Sequence, residues 1–196
     1  LPDEPLIFVE VALLHGLATR IADVIDAPVP SHEATDPFLP DTAIFYSITN
    51  CQAGLRGIPL GDFLLKQVIS ELQLTVPSLN QFSTLSPVPG LRRWVDEENI
   101  EITETDFEKL TATYLLTAKR NNQPRDPVAR FHLRNGAKLE QINIDGDLSQ
   151  KGQSESFGVL VNYIYDPETV AENHEIFINE NRLVVNPKIS ALVSKE

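Results

Sequence analysis

Residues 42 to 86 constrain this chain more than any other stretch, because they set a strand, a glycine-rich loop, a helix and a second strand in succession. "TAIFYSIT" (42 to 49) is apolar and rich in strand-forming residues, as a strand buried on both faces must be. "NCQAGLRGIPLG" (50 to 61) follows with glycines at 54, 57 and 61. "DFLLKQVISELQL" then places apolar residues at 63, 64, 65, 68, 69 and 72, one face of a helix with Asp62 as its expected cap. "QFSTLS" (81 to 86) closes the unit. Two strands joined by a crossover helix pair in parallel. The chain is therefore read as α/β, a mixed sheet with helices on both faces.

The flanks supply the remaining layers. "PLIFVEVAL" (5 to 13) has the character of a buried strand, and "GLATRIADVID" (16 to 26) has helical spacing. "APVPSHEATDPFLPD" (27 to 41) holds four prolines and is a loop. "TETDFEKLTATYLLTAKR" (103 to 120) predicts a helix. A second is predicted in "DPVARFHLRNG", with Asp126 as cap, Pro127 at the first helical position and Gly136 as the stop. "AKLEQINI" (137 to 144) and "SFGVLVNYIY" (156 to 165) read as strands.

Composition narrows the function. A chain of 196 residues, 42% hydrophobic, suits one domain spanning 1–196 with a real core, and no apolar run is long enough to cross a bilayer. Net charge is −12 and no basic run carries interleaved aromatics, which argues against nucleic acid or an anionic membrane as partner. The single cysteine, Cys51, cannot build a disulfide framework, fits a reducing compartment and has no base beside it, so it reads as inert. The four histidines are dispersed and no His-Glu-x-x-His run exists, so no metal site is expected. The chain begins on Leu1 inside a strand-like run and holds no methionine, so we expect a piece of a longer protein. It ends in "VSKE", which is not the peroxisomal Ser-Lys-Leu address.

Two features carry candidate chemistry. A glycine loop leading into a helix presents unpaired N–H groups at the positive end of the helix dipole, a site for phosphate. Arg56 and Lys66 add local positive charge, but "GLRGIPLG" lacks the Lys-Ser/Thr pair of a triphosphate loop. The same glycines would also serve a plain tight connection. In "FSTLSPVPG" (82 to 90), Pro87 drives Ser86 out of the helical region and holds its hydroxyl on an extended backbone, either as a tool or as a turn residue. Tyr165 offers a phenol at a strand end, where core packing is the alternative.

Taken together, "TAIFYSITNCQAGLRGIPLGDFLLKQVISEL", "FSTLSPVPGLRRW", "DPVARFHLRNGAKLEQIN" and "GVLVNYIY" resemble the C-terminal catalytic portion of malonyl-CoA decarboxylase, in the right order and over nearly the whole chain. The resemblance implies an acetyltransferase-like (GNAT-like) fold and decarboxylation of malonyl-CoA to acetyl-CoA and CO2, with no metal or organic cofactor. It puts the CoA pyrophosphate on Arg56, Gly57, Ile58, Pro59, Leu60, Gly61 and Asp62. It makes Ser86 and His132 the catalytic pair in contact with the malonyl group, Ser86 positioning it and His132 protonating the enolate; Tyr165, read from its place at the strand end and not from the resemblance, is the further catalytic candidate. His132 falls near the C-terminal end of its helix, where the dipole favours an imidazolium; His15, His32 and His174 are expected at the surface. "GDFLLK" departs from the family's Gly-Asn-Phe-Leu-Ile-Lys and brings a carboxylate toward the phosphate site. The family's helical N-terminal domain is absent, and a homo-oligomer would form through it. The expected location is cytoplasmic, or mitochondrial in a eukaryote. An acyl-CoA-dependent acyltransferase and a non-catalytic acyl-CoA-binding module stay open as alternatives.

Overall fold

The computed structural model describes residues 7–27, 39–50, 60–102 and 106–194. Strand β1 (Ile7–Leu14) is followed by helix α1 (Ile21–Ile25), strand β2 (Thr42–Asn50), helix α2 (Leu60–Thr75) and strands β3 (Gln81–Thr84) and β4 (Ser86–Pro87). Helices α3 (Leu91–Glu97) and α4 (Phe107–Thr117) and the short strands β5 (Lys119–Arg120) and β6 (Gln123–Pro124) come next. The chain continues through α5 (Pro127–Arg134), β7 (Lys138–Asn143), α6 (Gln150–Ser156), β8 (Leu160–Ile164), α7 (Val170–Glu180) and α8 (Pro187–Val193).

The crossover expected from the sequence is present: β2 and β3 pair in parallel, Thr42 opposite Gln81 through Phe45 opposite Thr84. Among the described residues the other strand pairs are antiparallel, β1 with β2, β8 with β3 and β4, β7 with β8, and β5 with β6. Ser83 stands opposite Ile164, Ser86 opposite Val161 and Pro87 opposite Leu160, an unbroken register. β3 and β4 are thus one strand interrupted at Leu85, whose N–H turns to the Phe45 carbonyl of β2 at 3.1 Å.

Alternation along the strands sends neighbouring residues to opposite faces. Ala43, Phe45 and Phe82 join the main core with Leu65 and Ile69 of α2 and Leu110 and Tyr114 of α4, while Ile44, Leu85 and Leu160 pack in a smaller cluster with Val24 of α1. The sheet therefore carries helices on both faces.

Several boundaries differ from the sequence reading. α2 begins at Leu60, so Asp62 lies inside the first turn and is not the cap; an acidic residue there still suits the dipole. The helix expected over 16 to 26 shrinks to Ile21–Ile25. The helix expected from 103 is α4, which starts at Phe107 because Asp106 caps it, accepting from the N–H groups of Glu108 and Lys109; Lys119 and Arg120 leave it for a strand. Ser156 ends α6 instead of opening a strand. The backbone then reverses through Phe157 (φ 55°) and Gly158 (φ 76°), so β8 starts only at Leu160.

Candidate active site

β2 and β3 stay paired only as far as Phe45 and Thr84. There β2 carries an extra residue, Tyr46, between the pairs Phe45 with Val11 and Ser47 with Glu10. Such a bulge bends its strand. β2 then runs on beside β1, while the other strand goes on to Ser86. Ser86 thus stands where two parallel strands part at their C-terminal ends, the place where open α/β sheets leave a crevice.

Ser86, like Phe82 and Thr84, faces the main core, and α5 lies over it. Asp126 caps α5 through bonds of 2.9 Å from the N–H groups of Val128 and Ala129, Pro127 enters at the first helical position, and Gly136 (φ 86°) follows the end, as the sequence predicts. One turn in from that end, His132 points down onto the sheet. Its Nε2 lies 3.1 Å from Ser86 Oγ and its Nδ1 2.9 Å from the Tyr165 hydroxyl. Ser86 Oγ also donates to Thr84 Oγ1 at 2.9 Å. A line of polar atoms therefore runs from Tyr165 through His132 and Ser86 to Thr84, 46 residues separating the two central members.

The surroundings decide the charge. His132 is 4% exposed and its ring stacks on Tyr163 with centroids 4.7 Å apart, while Phe131 and Tyr165 meet it edge-on at 5.0 and 6.0 Å. Burial among these rings pushes its pKa down to about 3. The imidazolium expected from the helix end is overruled: loss of water outweighs a dipole effect of about 1 kcal/mol, and His132 is neutral at neutral pH.

Asp126, 1% exposed, does more than cap α5. Its second oxygen accepts from Gly90 N–H at 3.3 Å and makes a long 3.5 Å contact with the Tyr114 hydroxyl. Burial raises its pKa. This one carboxylate ties the helix that carries His132 to the turn that follows Ser86. A side chain at Gly90 would push on the Tyr114 hydroxyl, which an added Cβ would meet.

The family model described as Malonyl-CoA decarboxylase C-terminal domain matches residues 1–110 and 96–196, the whole chain. The chain belongs to the malonyl-CoA decarboxylase family. Mitochondrial malonyl-CoA decarboxylase of Anser anser anser is 32% identical over 243 residues, covering 100% of this chain and 48% of its own length, and that of Rattus norvegicus is 31% identical over 99% and 49%. The chain thus spans about half the length of the curated relatives it matches. The crystal structure of malonyl-CoA decarboxylase from Agrobacterium vitis superposes with a TM-score of 0.87 at 38% identity, covering 99% of this chain and 55% of that one. The Rhodopseudomonas palustris structure gives 0.85 at 37%, covering 97% and 50%. The loading GNATL domain of CurA from Lyngbya majuscula (TM-score 0.62, 15% identity, 86% of this chain and 74% of that one) shows the fold alone, which is GNAT-like.

Of the residues singled out in the sequence of this malonyl-CoA decarboxylase family member, the structure brings Ser86, His132 and Tyr165 into one hydrogen-bonded line. Arg56, Gly57, Ile58 and Pro59, together with Cys51 and His32, lie outside the described residues. Leu60, Gly61 and Asp62 form the first turn of α2, not a loop. His15 is half exposed and pairs with Asp41 at 3.5 Å, and His174 is an exposed residue on α7, so both are surface residues as expected. Sequence reasoning missed Thr84 and the bracing part of Asp126. Thr84 was within reach: it stands two residues before Ser86 and so shares its face of the strand.

Proposed function

We propose that this chain is the catalytic domain of a malonyl-CoA decarboxylase, converting malonyl-CoA to acetyl-CoA and CO2. The observation that carries the reading is the buried Tyr165–His132–Ser86 line at the mouth of a strand divergence, in a chain of this family. Loss of CO2 breaks the C–C bond and leaves its electron pair as an enolate spread over C2 and the thioester oxygen. The thioester is itself the electron sink, so the step needs no further cofactor. Ser86, rigid before Pro87, holds its hydroxyl oxygen beside the malonyl group and positions it for bond breaking. His132 supplies the proton that C2 takes. A neutral imidazole N–H is a weak acid, but an enolate carbon is a strong base, and no imidazolium is required. Tyr165 returns a proton to the other ring nitrogen, and its oxygen regains one from water. The net change is one malonyl-CoA and one proton converted to acetyl-CoA and CO2.

The CoA handle is assigned to residues 56 to 62. The N–H groups of the first turn of α2 have no partners inside the helix and face the positive end of its dipole, which suits a pyrophosphate. Incubating the full-length protein with malonyl-CoA and no acceptor tests the function. Release of CO2 with matching acetyl-CoA supports it. Turnover only with an added amine would make the chain an acyltransferase, and binding of acetyl-CoA without turnover a binding module.

A further inference from the structure

The strand ladder fails at one residue next to the site. Thr84 stands opposite Tyr163 in the β3–β8 register, and the N–H of Tyr163 goes to Thr84 Oγ1, at 3.3 Å, in place of a backbone carbonyl. The Thr84 carbonyl is taken instead by Asn162 Nδ2 at 2.8 Å and by Ser83 Oγ at 3.1 Å. Asn162 is held in turn by Asn143, whose Nδ2 donates to Asn162 Oδ1 at 2.7 Å, and by the Ala18 carbonyl, to which Asn162 Nδ2 donates at 3.1 Å. Thr84, Asn143 and Asn162 are all buried. Thr84 Oγ1 is therefore a fixed acceptor, anchored by a backbone N–H and turned toward Ser86.

A serine hydroxyl has one proton. Ser86 gives it to Thr84. The contact between Ser86 Oγ and His132 Nε2 must then be donated by the imidazole, which leaves Nδ1 as the acceptor of the Tyr165 hydroxyl proton. We propose that Thr84 is a positioning residue that sets the polarity of this line, directing every donor from Tyr165 through His132 and Ser86 toward Thr84 and so presenting His132 Nε2–H to the reacting end. With the opposite polarity Ser86 would donate to Nε2. The ring would then offer a lone pair, the arrangement of a base activating a serine nucleophile. Thr84 thereby selects proton donation over acyl capture. The proton on Nε2 passes to C2 as the C–C electron pair is released, Nδ1 takes the Tyr165 proton, and the imidazole ends neutral.

The catalytic half of this inference rests on the decarboxylase reading; the tautomer does not. In the full-length protein labelled with 15N-histidine, His132 (assigned by its loss in His132→Gln) should show the Nε2–H tautomer. In Thr84→Val the ring shifts toward Nδ1–H or an exchanging mixture, and kcat for malonyl-CoA falls at least tenfold with KM changed less than threefold. Thr84→Ser, which keeps the acceptor, restores the tautomer and most of the turnover. A wild-type protein protonated on Nδ1 overturns the proposal even if Thr84→Val does not fold, as does a folded Thr84→Val with unchanged tautomer and kcat. Inactivity of the wild type toward malonyl-CoA, with the Nε2–H tautomer intact, would sink the decarboxylase reading and leave the polarity standing.

Discussion

A histidine held neutral by burial makes the fold sensitive to acid, and the effect can be worked out from His132. Its folded pKa is about 3, against an ordinary value of 6.5 in the unfolded chain. Between those values the unfolded state binds more protons than the folded state, so stability rises with pH and is lost as pH falls below about 6.5. Going from pH 8 to pH 5 costs about 2 kcal/mol, from about 1.4 kcal/mol per pKa unit over the roughly 1.5 units below the unfolded value. Asp126 works the other way: its raised pKa lets the folded state take up a proton earlier than the unfolded chain, a gain that appears as pH falls toward the carboxylate range. Stopping at pH 5 and comparing with His132→Gln removes most of that contribution. The assay is urea unfolding of the full-length chain, followed by the fluorescence of Trp94 on α3, the single tryptophan of this sequence. With a slope of about 2 kcal/mol per molar, the wild-type midpoint should fall by about 1 M more than that of His132→Gln between pH 8 and pH 5. Equal shifts in the two proteins would refute a buried, neutral His132.

The same neutrality bears on rate. kcat/KM for malonyl-CoA should be flat from pH 6 to 8, and an alkaline limb with a midpoint near 6.5 in a pH–rate profile would show that an imidazolium is the working form. Ser86→Ala should lower kcat by roughly 10²-fold, the scale of one aligned polar group lost, with only a small change in urea midpoint. Gly90→Ala should loosen the Asp126 link by pushing on Tyr114, costing about 1–3 kcal/mol in urea unfolding and lowering kcat more than KM changes. Gly57→Val, in the segment assigned to the CoA handle, should raise the Kd for acetyl-CoA at least tenfold, about 1.4 kcal/mol, by calorimetric titration; unchanged affinity in a folded variant would move the handle elsewhere.

Much of this architecture is local in origin, which is why it can be read from the sequence. The β2–α2–β3 unit follows from apolar runs and spacing, and α5 from the Asp126-Pro127 start and the Gly136 stop, because caps and periodicity act within a few residues. Helices α3, α6, α7 and α8 carry weaker signals: α6 (Gln150–Ser156) has a glycine inside and no apolar side chain, and its short length hid Ser149 as a cap. The chemical state of the site was the least legible part. A helix-end position argued for a charged His132, and only the packing of Tyr163, Phe131 and Tyr165 around it shows that burial wins. The roles of Thr84 and Asp126 depend on partners far away in sequence, Tyr163 and Asn162 for the first and Gly90 for the second, and no spacing rule reaches that distance.

The Asp126 bracket also bears on how such a protein can change. Ser86, His132 and Tyr165 are mounted on β4, α5 and the end of β8, and the carboxylate that spans Gly90 and α5 belongs to the same support. The β2–α2 connection contributes none of these parts. The residues proposed as the CoA handle, 56 to 62, are separate in sequence from those of the proton line, so the two can be altered separately. Substitutions around Gly90 and Asp126 have no such freedom, because a shift in that brace moves both halves of the pair at once.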